Sequence, residues 1–280
     1  EISFIPITED GRCGFQMCNL SSINGAKITS LDLFKKATHA ATLIGTLQAA
    51  YTDFPYLGHT SEEITREEAL LGVSITGLLD SPDVVLNDQN QRECAQIATS
   101  TNEEWAKKIG INPAARVTCV KPEGTSSLVL GSASGIHPHH ARRYFRRVQV
   151  NKEDNVYNFF KLYNDHACEE SVWSANKTDD VITFPIEVSP NAIIKADLTA
   201  IAHLDIIKRT QLNWVNPGTT KYNKKNLNHS VSCTVIVKDH EWDEVTNYLY
   251  KNQEYFTAVS LLPSTGDKIY KQAPLEEVIT

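Results

Sequence analysis

The chain has 280 residues, 41% of them hydrophobic, which is enough to bury one large core or two modest ones. Its 34 acidic residues outnumber 27 basic ones, for a formal net charge of -7. This argues against a general nucleic-acid binder, and no run of about 18 apolar residues marks a membrane span. The six cysteines, at 13, 18, 94, 119, 168 and 233, are scattered through a chain too large to need staples, as expected of a reducing cytoplasm. A start at Glu1 without a signal-peptide pattern is expected of a fragment, a processed product or a piece of a longer chain.

Helix-like and strand-like segments alternate. Thr29 is placed to cap a helix with Leu31, Phe34, Ala37, Ala41, Ile44 and Leu47 along one stripe. Thr65 and Glu68 have capping-box spacing before the β-prone run Val73–Ile75. A helix with Cys94, Ile97, Ala98, Thr101 and Trp105 on one side ends at Gly110, and Arg116–Val120 reads as a buried strand. Tyr144–Val150 and Val181–Val188 are strand candidates, and Asp197 is placed to cap a helix running to Val215. Ser230–Val237 alternates as a strand, Asp239 starts a further helix, and Ala258–Leu262 closes with a strand. The polar stretch Asn216–Asn228 reads as a surface loop. This alternation predicts an α/β fold with a mostly parallel sheet.

Three constellations carry chemistry. Cys13 and Cys18 stand five positions apart, before Asn19-Leu20; burial, redox work and metal binding are all open, although zinc would need about two further ligands. Pro122-Glu123-Gly124-Thr125-Ser126 follows a predicted strand, either as a plain turn or as a cradle of N–H and hydroxyl donors for an anion; it lacks the Walker order. His137, His139 and His140 precede Arg142, Arg143, Arg146 and Arg147, a run open to a metal, to phosphates or to a solvated face.

Together these segments resemble ribonucleotide reductases, above all the adenosylcobalamin-dependent ribonucleoside-triphosphate reductases. Glu1-Ile2-Ser3 resembles the end of that family's finger-loop motif, and Cys18-Asn19-Leu20 its second cysteine motif. Lys121-Pro122-Glu123-Gly124-Thr125-Ser126 is similar to its phosphate loop, with Gly135-Ile136-His137-Pro138 following. Leu71–Leu78, Asn228–Thr234, Val259–Pro263 and Gln272–Pro274 match in order. The resemblance implies that residues 1–280 form the C-terminal half of a ten-stranded α/β barrel, with 1–25 a finger-loop remnant and redox-cysteine strand. It implies thiyl-radical reduction of a ribonucleoside triphosphate or diphosphate, with adenosylcobalamin as cofactor. Glu1 would be the catalytic carboxylate, Cys18 one redox thiol, and Pro122, Glu123, Gly124, Thr125 and Ser126 the phosphate binders. The implied partners are an N-terminal half, carrying the radical cysteine and the second redox cysteine, and a thioredoxin-like dithiol. A break inside the finger loop is expected of protein splicing. The rival readings are a non-catalytic nucleotide-binding or assembly module, another radical enzyme on a similar barrel, and a zinc hydrolase on the three histidines.

Overall fold

The structure is a computed structural model that describes residues 13–220, 227–264 and 270–279. Its main sheet starts with β1 (Asn19–Asn24) and β2 (Leu71–Thr76), which pair in parallel with Leu20 opposite Gly72. The chain reaches β2 through helices α1 (Leu31–Gln48) and α2 (His59–Glu68). Residues 116–120 lie parallel to β2 on its other side, the Cys119 N–H donating to the Val73 carbonyl at 3.0 Å. Residues 230–232 then join Val120 in parallel. The same stretch runs on into β6 (Thr234–Val237), which pairs with β7 (Ser260–Pro263). Five adjacent parallel segments result, laid out in chain order and joined by crossovers that contain helices, since parallel neighbours cannot be linked by a tight hairpin.

Between these segments the chain packs α3 (Pro82–Val85), α4 (Asp88–Ile109), α5 (Ser126–Leu130), α7 (Ala200–Thr210) and α8 (Trp242–Lys251). The fold is the expected α/β one, but its sheet is not the only one. A separate antiparallel sheet, ordered β4-β5-β3-β8, is built from β3 (Arg143–Asn151), β4 (Cys168–Glu170), β5 (Asp179–Glu187) and β8 (Leu275–Glu277). Helix α6 (Asn155–Asn164) joins β3 to β4. The alternation of residues in β3 and β5 locates strands but carries no direction, so their antiparallel pairing was not foreseen.

The core explains several shifts from the expected boundaries. Ser30, not Thr29, caps α1, its hydroxyl accepting from the Leu33 N–H at 3.2 Å. The buried face of α1 is Phe34, Thr38, Ala41, Thr42, Gly45 and Thr46, while Ile44 and Leu47 point outward. Threonine tolerates this burial where its hydroxyl bonds one turn back: Thr42 donates to the Thr38 carbonyl and Thr46 to the Thr42 carbonyl, both at 2.8 Å. Thr65 lies within the last turns of α2, which opens after Gly58 at φ 77° and closes at left-handed Ala69. Thr199, not Asp197, caps α7, and its last turn widens into a π-helical turn over Gln211–Val215. That turn buries Trp214, which stacks on Phe34 with ring centroids 6.0 Å apart and donates its indole N–H to the Cys119 carbonyl at 2.9 Å.

One buried group on α7 makes the core acid-sensitive. His203 is 5% exposed and bonds the Ile136 carbonyl through Nε2 at 2.9 Å, and burial pushes its pKa from 6.5 down to about 4. The unfolded chain takes up this proton below about pH 6.5 and the folded chain only near pH 4. Stability is therefore fully present above pH 6.5 and falls by about 3 kcal/mol on the way down to pH 4. Urea titrations across that range are expected to show a shallower loss in His203→Gln than in the parent; identical slopes would contradict the assignment.

Candidate functional site around Cys18 and the 122–126 loop

Cys18 sits one residue before β1 on a segment fastened at several points. The Phe15 N–H donates to Ser61 Oγ at 3.0 Å, and the Gln16 side-chain amide reaches Glu68 at 2.5 Å. Both the backbone and the side-chain N–H groups of Asn19 donate to the Leu70 carbonyl, at 2.9 and 3.1 Å. Glu68 also holds Arg116 at 2.7 Å, so the Cys18 segment, α2 and the 116–120 segment meet at one half-buried ion pair. A partly desolvated pair of this kind contributes more to fixed geometry than to net stability.

Glycine at position 72 makes the space into which the sulfur points. A Cβ built there would lie 3.0 Å from the Cys18 sulfur, 3.3 Å from the Cys119 sulfur and 2.6 Å from a methyl of Leu20. Two thiols from the flanking segments thus lean over the one residue of β2 with no side chain. His229 completes the surround: its Nε2 lies 4.0 Å from the Cys18 sulfur and bonds the Leu71 carbonyl at 2.8 Å, so that nitrogen carries the proton. Gln211 of the π-helical turn holds this stretch, its amide donating to the His229 carbonyl at 3.0 Å and accepting from the Val231 N–H at 3.2 Å. Gly72, Cys119 and His229 were not singled out for the site from sequence, because their convergence depends on strand register.

The 122–126 loop follows the 116–120 segment and leads into α5. Gly124 and Thr125 are exposed and Ser126 is half-buried. Glu123 adopts φ 59°, and its carboxylate accepts hydrogen bonds from the Ser126 hydroxyl and from the Ser22 hydroxyl of β1. Ser22 lies four residues beyond Cys18, about 13 Å along an extended strand. Strand β1 therefore joins the sulfur to the loop across roughly the length of an extended nucleotide. Glu1 lies outside the described residues, as does part of the stretch 1–25.

The remaining candidates separate from this site. Cys13 is exposed, and burial pushes the Cys94 and Cys233 thiols up to about 11 and about 12, which keeps them protonated and unreactive at neutral pH. The three histidines do not converge on a metal. His137 donates from Nδ1 to the Ser134 carbonyl at 2.8 Å and accepts the Thr234 N–H at 2.9 Å, while His139 bonds Asp80 at 2.5 Å. Among the described residues no group of three or more His, Cys, Asp or Glu is placed to hold a metal ion.

No protein-family model matches the chain. In sequence it is similar to the adenosylcobalamin-dependent ribonucleoside-triphosphate reductase of Levilactobacillus brevis, 26% identical over 183 residues, covering 65% of this chain and 23% of that protein. The enzyme of the same name from Lacticaseibacillus paracasei is 22% identical over 304 residues, covering 98% of this chain and 38% of that protein. The chain thus spans about a quarter to two fifths of the length of these curated relatives. In structure it matches a B-12 dependent (class II) ribonucleotide reductase with a TM-score of 0.71 at 20% identity, over 94% of this chain and 39% of that one. The chain has the α/β fold of a section of the class II ribonucleotide reductase and is a homologue of part of the adenosylcobalamin-dependent ribonucleoside-triphosphate reductases.

Proposed function

We propose that this chain is the section of a ribonucleotide reductase that supplies one reducing thiol and the phosphate-holding loop. The observation that carries the reading is the placement of Cys18 over Gly72, directly before the strand whose Ser22 bonds the 122–126 loop. Phosphates held by Pro122–Ser126 would fix the ribose near the sulfur, an orientation effect worth several kcal/mol. In the proposed reaction the 2′-hydroxyl leaves as water and a hydrogen takes its place. Two thiols, Cys18 and one from an upstream half of the same reductase, give up the two electrons and end as a disulfide. A thioredoxin-like dithiol then restores both thiols by exchange, chemistry suited to the reducing cytoplasm. Glu1 is proposed as the carboxylate that takes the 3′-hydroxyl proton, a task for a well-placed modest base.

Adenosylcobalamin is proposed as the radical source because the relatives carry it in their names. Three histidines are already engaged and are not assigned to hold it: His137 has both ring nitrogens bonded, His139 bonds Asp80 and Tyr144, and His203 is buried against a carbonyl. No step is assigned to the cofactor through them.

The test is complementation. The chain, its upstream half, adenosylcobalamin, a dithiol and a ribonucleoside triphosphate are expected to yield 2′-deoxynucleotide. Without the dithiol, product should stop near one equivalent with one new disulfide per chain. Intact substrate in both mixtures would refute the proposal.

A further inference from the structure

A second cleft, of about 630 Å³, opens between the start of α7, the turn 132–140 and the antiparallel sheet. None of residues 122–126 lines it, and it is of ordinary ligand size. Its chemistry runs against the chain's net negative charge: Arg146, Lys195 and His140 line it, and no carboxylate does so among the described residues. Apolar Leu198, Ile236 and Pro274 line it as well.

Arg146 stands out among the four arginines of its run. Arg142 is matched to Asp197 at 3.0 Å, Arg143 to Glu187 at 2.8 Å and Arg147 to Glu276 at 2.6 Å. Arg146 is half-buried on β3 and makes no ion pair among the described residues. Two residues back on the same face of β3 stands the Tyr144 hydroxyl, close enough to feel the guanidinium charge. That hydroxyl meets His139 Nδ1 at 3.2 Å, His139 Nε2 meets Asp80 at 2.5 Å, and the other Asp80 oxygen accepts the Ala133 N–H at 2.8 Å. Asp80, His139 and Tyr144 are all largely buried, so the hydrogen-bonded chain beside Arg146 is fixed in place. Holding a cation half-buried without a carboxylate costs solvation, which a bound anion recovers through charge-assisted hydrogen bonds.

We propose that this cleft is a second anion site, separate from the 122–126 loop, which takes a phosphorylated small molecule of nucleotide size. Its phosphate lies against Arg146 and Lys195, and its organic part against Leu198, Ile236 and Pro274.

Calorimetric titration of the full chain with ATP, and separately with inorganic pyrophosphate, tests this. ATP is expected to fill two sites. Arg146→Gln should weaken one of them by about tenfold or more, with Arg146→Lys in between. Thr125→Asp should remove only the other, and Lys195→Gln should weaken the same site as Arg146→Gln. Thermal melts matched to the parent confirm that each variant is folded. Pyrophosphate binding lost with Arg146 shows that the phosphate alone is recognised; binding of ATP only shows that the organic part is needed. If Thr125→Asp abolishes all binding and Arg146→Gln and Lys195→Gln change none, the second site is refuted while the loop reading stands. If Arg146→Gln alone abolishes binding, the second site stands and the loop reading falls. No heat with either probe at millimolar concentration refutes both.

Discussion

Cys18→Ser in the complemented protein is expected to lower multiple-turnover deoxynucleotide formation on the order of a thousandfold, because serine cannot form the disulfide that carries away two electrons. Nucleotide affinity should change by less than about twofold, since the 122–126 loop lies about 13 Å along β1 from the sulfur. This division between turnover and binding separates a chemical role from a structural one. Cys13→Ser is the matched control: Cys13 is exposed and makes no contact with the Gly72 space among the described residues, so its activity should stay within about twofold. Glu1→Gln is expected to behave like Cys18→Ser if that carboxylate is the base. Full activity in both the Cys18 and the Glu1 variants would overturn the site assignment.

Gly218→Ala is expected to destabilise the fold by about 3 kcal/mol, the upper end for overpacking, and to lower the melting temperature by roughly 10 °C. A Cβ on Gly218 would fall 1.5 Å from the Thr118 hydroxyl and 2.5 Å from the Thr118 Cβ. Thr118 cannot swing aside freely, because its hydroxyl donates to the Trp214 carbonyl at 2.6 Å within the core. Nor can the glycine retreat, as its carbonyl accepts from the Val117 N–H at 2.8 Å and the Thr118 N–H at 3.3 Å. Differential scanning calorimetry reads the effect directly. A melting point within about 2 °C of the parent would show that the turn after the π-helical segment yields more easily than these bonds imply.

Much of this was legible in the order of residues. The β-branched run Arg116–Val120 and the alternation in Ser230–Val237 locate parallel segments, and Gly110 marks the end of α4 at φ 76°. The family resemblance rested on short motifs; that Ser22 of β1, four residues beyond Cys18, bonds the 122–126 loop is a contact no motif contains. What stayed hidden depends on register and on three-dimensional crossing. No local pattern tells that Gly72 lies beneath two sulfurs from separate segments, or that His229, 211 residues away, faces Cys18. The outward Ile44 and Leu47 misled for a related reason: threonines that bond their own helix backbone can take the inner face. The histidine run does not act as one: His139 and His137 are held by different neighbours remote in sequence, Asp80 and Thr234.

Glu123 gives the loop an unusual resting condition. Its carboxylate draws in the Ser22 and Ser126 hydroxyls, so the loop already carries a negative group of its own. If phosphate enters as proposed, like charge displaces that group and frees Ser22. Arrival of the ligand is then felt on β1, the strand that begins next to Cys18, so occupancy at one end would be announced at the other.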